Sequence, residues 1–276
     1  MRTGYKVALY AAALAVIFGG TWAAGAATGP TPAESPAPHA ETHDGGHDSK
    51  LPPGLSVSDN GYTLRLKETA PLTFTVEGPD GQPVTKFAVE HEKRLHLVAV
   101  RRDGSHFRHV HPQMAPDGTW STPLELPDAG SYRVFADFRP EGGPALTLGA
   151  DVQVPGDYRP QNHVDSRTFT VDGYEVSLFG DLKANAASTV AIEISKDGRP
   201  VADLQDYLGA KGHLVALRSD DLAYLHVHPE QGGQVKFAVE VPTAGKYRLF
   251  LDFQHDGVVR TAEFTLTTHE EGGHGH

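Results

Sequence analysis

The chain has 276 residues, with 24 Lys and Arg against 35 Asp and Glu, a formal charge of −11. That balance, with no basic run and no glycine-rich phosphate loop, excludes a nucleic-acid binder, which must displace counterions from phosphates with cationic side chains. Cysteine is absent, histidine is abundant at 16 and methionine scarce at two, which excludes disulfides, Fe–S clusters, Cys-ligated zinc and thiolate chemistry and argues against a soft metal held by thioethers.

The first element is apolar. Arg2 and Lys6 precede the run Val7–Phe18, and small residues follow through Ala24-Gly25-Ala26. This predicts a hydrophobic helix over 1–28, either a cleaved signal peptide or a retained membrane anchor. Both place the rest of the chain outside the cytoplasm, secreted or held on the outer face of the membrane, because the positive charges come first. Residues 29–54 are rich in Pro, Ala, Gly and charge and carry His39, His43 and His47; they read as a disordered linker. A His-rich tail, 269–276, mirrors it.

Between these ends the chain is duplicated. Leu95–Pro112 matches Gly212–Pro229 without a gap at an offset of 117, with ten of 18 positions identical. "DGQPV" at Asp80–Val84 matches "DGRPV" at Asp197–Val201 at the same offset, and Pro127–Phe138 matches Pro242–Phe253 at 115. The repeats span 55–155 and 167–268, joined by a linker at 156–166. Within each, short segments alternate with period two, as in Tyr62–Lys67 and Leu72–Glu77, and turn signals recur about every ten residues. The expected fold is all-β: two tandem immunoglobulin-like antiparallel β-sandwiches, each its own domain. Ala129–Tyr132 and Ala244–Tyr247 have the sequence of tyrosine corners, in which a phenol locks a turn.

The repeat histidines carry the chemistry. With a two-residue turn at Asp103-Gly104, Arg102 pairs with Ser105 and His96 faces His111 across a hairpin. His109 lies two residues from His111, on the same face. The same register in the second copy pairs His213 with His228, beside His226. Each triplet then forms one site suited to Cu(II) or Zn(II), with Asp137 or Asp252 from the neighbouring strand as fourth ligand or as an orienting partner. A slip of one residue would break the triangle. Val98, Val100 and Phe107 share the histidine face, which opens the alternative of core imidazoles satisfied by carbonyls and Asp137. His91, His106, His163 and His255 have no equivalent in the other copy and read as surface residues.

The segments "HLVAVRRD…HVHP" and "GHLVALR…YLHVHPE", each followed by "AG-x-YR-[VL]-F-x-DF", resemble secreted or membrane-anchored actinobacterial proteins described as heavy-metal-associated or YtkA-like immunoglobulin-type β-domains. The resemblance covers 55–268 and the N-terminal segment. It implies an extracytoplasmic role near copper or other heavy metals. The function expected is metal sequestration or delivery, with a metal ion as ligand and a membrane metal transporter as onward partner. A tandem interaction protein with structural histidines is the alternative. "HVH" on a sandwich strand also occurs in Cu/Zn superoxide dismutase, but the downstream histidine-rich zinc loop and the cysteines of that enzyme are missing here, so no enzyme is expected.

Overall fold

The computed structural model describes residues 51–230 and 234–268. The hydrophobic segment at 1–28, nearly all of the 29–54 linker and the tail at 269–276 lie outside the described residues. Every regular element among those described is a strand. The first repeat contributes β1 (Ser58–Asp59), β2 (Tyr62–Thr69), β3 (Leu72–Glu77), β4 (Leu95–Arg101), β5 (Arg108–Val110), β6 (Gln113–Met114), β7 (Trp120–Thr122), β8 (Gly130–Phe138) and β9 (Leu146–Val154). The second contributes β10 (Thr168–Val171), β11 (Tyr174–Phe179), β12 (Ala186–Lys196), β13 (Arg199–Pro200), β14 (His213–Arg218), β15 (Val227–Pro229), β16 (Val235–Val241), β17 (Gly245–His255) and β18 (Val258–Thr268).

All pairings are antiparallel. The first repeat forms sheets β1-β2-β3-β7-β6 and β5-β4-β8-β9; the second forms β10-β11-β12-β16-β15 and β14-β17-β18. Each pair of sheets closes on its own core: Leu64, Phe74 and Val76 against Leu97, Val134 and Ala136 in one, Val176, Val190 and Phe237 against Leu214, Leu249 and Phe264 in the other. Both tyrosine corners form. Tyr132 donates its hydroxyl to the Asp128 carbonyl (3.0 Å) and Tyr247 to that of Thr243 (2.6 Å).

The two sandwiches pack through the sheets that carry the histidines. β4 is buried on both faces. Leu97 and Ala99 face the sandwich core, while Val98 and Val100 meet Val215, Leu217 and Phe250 of the other repeat. The unbroken apolar runs Leu97–Val100 and Leu214–Leu217 follow from this, since a strand covered on both faces has no polar side to alternate with. The interface repeats the duplication. Phe107 stacks on Phe250 at 4.1 Å between ring centroids, and the equivalent residues Tyr224 and Phe135 meet at 5.4 Å. The face shared by Val98, Val100 and the histidines is therefore buried between the repeats, and not within either sandwich. Phe250 is fully buried there. Phe250→Ala is expected to destabilise the protein by about 3–5 kcal/mol, measured by urea unfolding; a loss under about 1 kcal/mol would mean that the interface is not tightly packed in solution.

The connecting segments are fastened to this interface. Gly54 takes a φ of +77° and lies where a Cβ would meet the Phe135 ring at 2.6 Å. Its carbonyl accepts from the buried Arg133 guanidinium, while the Pro53 carbonyl accepts from the Tyr224 amide at 2.9 Å. Pro53 and Gly54, which the sequence assigns to the linker, are thus hydrogen bonded to both repeats. In the 156–166 segment, Gln161 donates its amide to Asp103 and Lys246 donates to the His163 carbonyl.

Candidate metal centre

The first hairpin reaches the expected ladder by a different turn. Arg101, not Arg102, donates its amide to Ser105. His106 then adopts a φ of 55°, an extra bulged residue that restores the register. Leu97, Val98 and Ala99 pair with Val110, His109 and Arg108, so His96, His109 and His111 share the face turned toward the second repeat. His96 is opposite Asp137 on β8, and His213 opposite Asp252 on β17.

What meets at the interface is one cluster drawn from both copies. The ligand atoms of His96, His109 and His213 all lie within 4.8 Å of one another. The rings of His96 and His213, equivalent residues, stack at 5.4 Å with 6° between planes. His109 lies 4.9 Å from His213. His111 completes the first triplet at 5.1 Å from His96 and 4.8 Å from His109, and its Nε2 is buried without a hydrogen-bond partner.

Hydrogen bonds on the outer nitrogens fix where the protons are. The Glu90 carbonyl lies 3.1 Å from His96 Nε2, so that nitrogen is the donor. The Asp252 carboxylate lies 2.7 Å from His109 Nδ1, so that nitrogen is also the donor. In two neutral rings the remaining nitrogens, His96 Nδ1 and His109 Nε2, are then both lone pairs, and they face each other at 3.2 Å. Two lone pairs repel at that distance unless something cationic lies between them. Nitrogens bonded to one ion at about 2.0–2.1 Å sit roughly 3–3.5 Å apart. A carboxylate or carbonyl on the far nitrogen is the usual second-layer support of a metal-bound imidazole. Asp252 is held in turn by the Thr261 hydroxyl at 2.6 Å.

The electrostatics favour neutral rings at His96, His111 and His213. Burial, opposed by the Glu90 carbonyl, pushes His96 down to about 4. Burial and then the charges of His109 and His96 push His111 down to about 3. Burial, reinforced by the neighbouring imidazoles, pushes His213 well below its ordinary value. Burial also raises the Asp137 carboxyl, partly offset by the Thr147 hydroxyl, which donates to it at 2.9 Å.

The second triplet does not assemble. Its hairpin starts in the expected register, with Leu217 bridged to Tyr224 and the Leu225 amide donated to Ala216. The strand then leaves β14. Glu240 donates to the His226 carbonyl, and Val227, His228 and Pro229 pair with Val239, Ala238 and Phe237 on the other sheet. The first repeat crosses between sheets later, after Val110. His226 and His228 are consequently exposed, with their rings 4.1 Å from each other, while His213 meets rings of the first repeat. The departing strand opens a cavity of about 860 Å³ lined by Asp137, His91, His96, His213, His226 and His228 among others.

Three of the histidines read as surface residues have other surroundings. His91 is exposed, yet its ring sits 6.1 Å from His96 and 5.7 Å from His213. It gets there through a tight turn in which Glu90 and Lys93 exchange backbone hydrogen bonds and both central residues, His91 and Glu92, have positive φ. Such a turn favours Asn-Gly, so its sequence gives no signal. His255 is buried against the Tyr174 hydroxyl at 2.7 Å, and His163 Nε2 is buried.

The chain matches the family described as "Domain of unknown function (DUF8832)" twice, over residues 52–156 and 169–270. No curated protein matches it. Among solved structures it is similar to a two fibronectin type-III domain segment from chicken tenascin, at 11% identity over 74% of this chain and 97% of that one, TM-score 0.24. It is also similar to extracellular domains 3–5 of Drosophila OTK, at 15% identity over 79% and 67%, TM-score 0.19, and to a chimeric titin Z1Z2 tandem, at 15% over 75% and 98%, TM-score 0.19.

Proposed function

The chain belongs to the DUF8832 family, carrying its domain twice, and from that pairing we propose that it is a metal-binding protein with one centre between the two copies. The ion is Cu(II) or Zn(II), both of which accept neutral imidazole. The ligands are His96, His109 and His213, with His111 beside them. The observation that carries this reading is the pair of opposed lone pairs on His96 and His109. Purely structural histidines would instead need one of the two rings to be an imidazolium that donates to the other. The role is sequestration or delivery outside the cytoplasm, supported by the apolar N-terminal run; a membrane metal transporter would be the onward partner.

The test is calorimetric titration of the full chain with Zn(II) and with Cu(II). Ser replaces His39, His43, His47, His269, His274 and His276, so that heat from the terminal histidines does not mask the centre. One tightly held ion per chain is expected. Two equivalent ions would restore one site per repeat, and no uptake would leave the tandem-interaction reading.

A further inference from the structure

The two halves of the centre are related by the duplication, but only one is complete. His109 sits opposite Val98 on β4 and reaches across the interface to Asp252. Its equivalent is His226, and the equivalent of Asp252 is Asp137. Asp137 has its threonine, Thr147, as Asp252 has Thr261. No imidazole bond to Asp137 is found among the described residues. The place such a ring would fill is part of the cavity that Asp137, His213, Tyr224 and His226 line. β14 is an edge strand, and among the described residues no strand pairs with it at His213–Val215 on the side away from β17. The hairpin register is already correct at Leu217–Tyr224 and at Ala216–Leu225. One more pair of the same ladder would bring His226 opposite Val215, an interface residue, pointing where His109 points in the other half.

Resting on the metal reading above, we infer that His226 is the fourth ligand of the centre, delivered by transfer of residues 226–228 from β16 to β14 and oriented by Asp137. The ion is then held by His96, His109, His213 and His226, two from each copy, in the four-coordinate arrangement that three converging imidazoles alone leave open. The open form seen here has a solvent-reachable cavity beside three of the ligands, through which an ion enters; the closed form retains it. The exchange breaks few bonds, since β15 has only three residues, all at least partly exposed.

Zn(II) affinity of the same full chain tests this. His226→Ala is expected to weaken binding about 10- to 100-fold, and Asp137→Asn by a similar factor through the lost orientation. His228→Ala should stay within about twofold, since that residue is no ligand. A second variant traps the strand. Glu240 and His226 form a hydrogen-bonded pair, so Val227 and Val239 are a non-hydrogen-bonded pair, with Cα atoms about 4.5 Å apart and within reach of a disulfide. Val227→Cys with Val239→Cys, oxidised, should bind as weakly as His226→Ala and recover on reduction. X-ray absorption of the loaded wild type should count four nitrogen ligands, falling to three in both variants. Wild-type affinity in His226→Ala, or in the oxidised disulfide form, sinks this inference and leaves the three-histidine centre standing. A wild type that takes up no ion sinks both.

Discussion

Replacing His213 by Ala should cost the protein its metal, more than about 100-fold in affinity, although the first repeat's His96, His109 and His111 remain untouched. The ligand atoms of His96, His109 and His213 converge within 4.8 Å, and β14 holds His213 on the facing sheet. With His213 gone, the converging set of three loses its member from the second repeat, and neither His111 nor the strand bearing His226 occupies that position. The fold should survive, because His213 is only partly buried and the apolar interface around Phe250 and Phe107 is unchanged. The measurement is competitive Zn(II) titration of His213→Ala against His228→Ala, with urea midpoints to confirm folding. If His213→Ala binds as tightly as wild type, the centre is confined to one repeat and the interface cluster is a packing feature.

The metal-free protein should lose stability as pH falls from about 6.5 toward 4, before the carboxylates are fully protonated. In the unfolded chain the histidines titrate near 6.5. In the folded chain His96 is pushed down to about 4 and His111 to about 3. Between those values the unfolded state binds more protons, so folding free energy falls with pH. Each such ring contributes a slope of up to about 1.4 kcal/mol per pH unit, and His96 alone amounts to roughly 3 kcal/mol across its window. Asp137 acts in the opposite sense, because burial raises its carboxyl and acid then favours the folded state. That effect begins in the ordinary carboxylate range and extends upward, against the imidazole slope, so the comparison is made in an Asp137→Asn background, where only the imidazoles remain. The same depression lets metal outcompete protons further into acid than an exposed histidine site would allow. Urea unfolding at pH 7, 5.5 and 4.5, with and without Zn(II), reads both effects. His111→Asn should flatten the slope without a folding cost, since the lost nitrogen has no hydrogen bond. Stability independent of pH between 7 and 5 would mean that the rings are solvated and the buried cluster does not exist in solution.

Much of this was legible beforehand. The two offsets, 117 and 115, define the duplication, and period-two segments with regular turn signals specify strands and sandwiches. Tyr132 and Tyr247 occupy corners because Ala-Gly-x-Tyr carries a local turn geometry with it. Even the first hairpin's register follows, although through a bulge at His106 that compensates a turn one residue longer than Asp103-Gly104 implied. All of these are local: each depends on residues within one strand pair, where side-chain alternation and turn chemistry act directly.

What lay beyond the sequence depends on the partner sheet. Val98, Val100 and Phe107 marked the histidine face as one that could be buried, but not that the other repeat would cover it. Two clusters expected at separate sites became one because stacking Phe107 on Phe250 and Tyr224 on Phe135 brings His96 against His213. The strand bearing His226 and His228 shares its histidines and proline with the first copy, yet crosses to β16 two residues sooner. That choice is a competition between two edges for the same backbone hydrogen bonds, and its outcome rests on packing across the whole sandwich. His91 enters the cluster through a turn that its residues do not favour. Local pattern fixes which side chains share a face; only tertiary packing decides what that face meets.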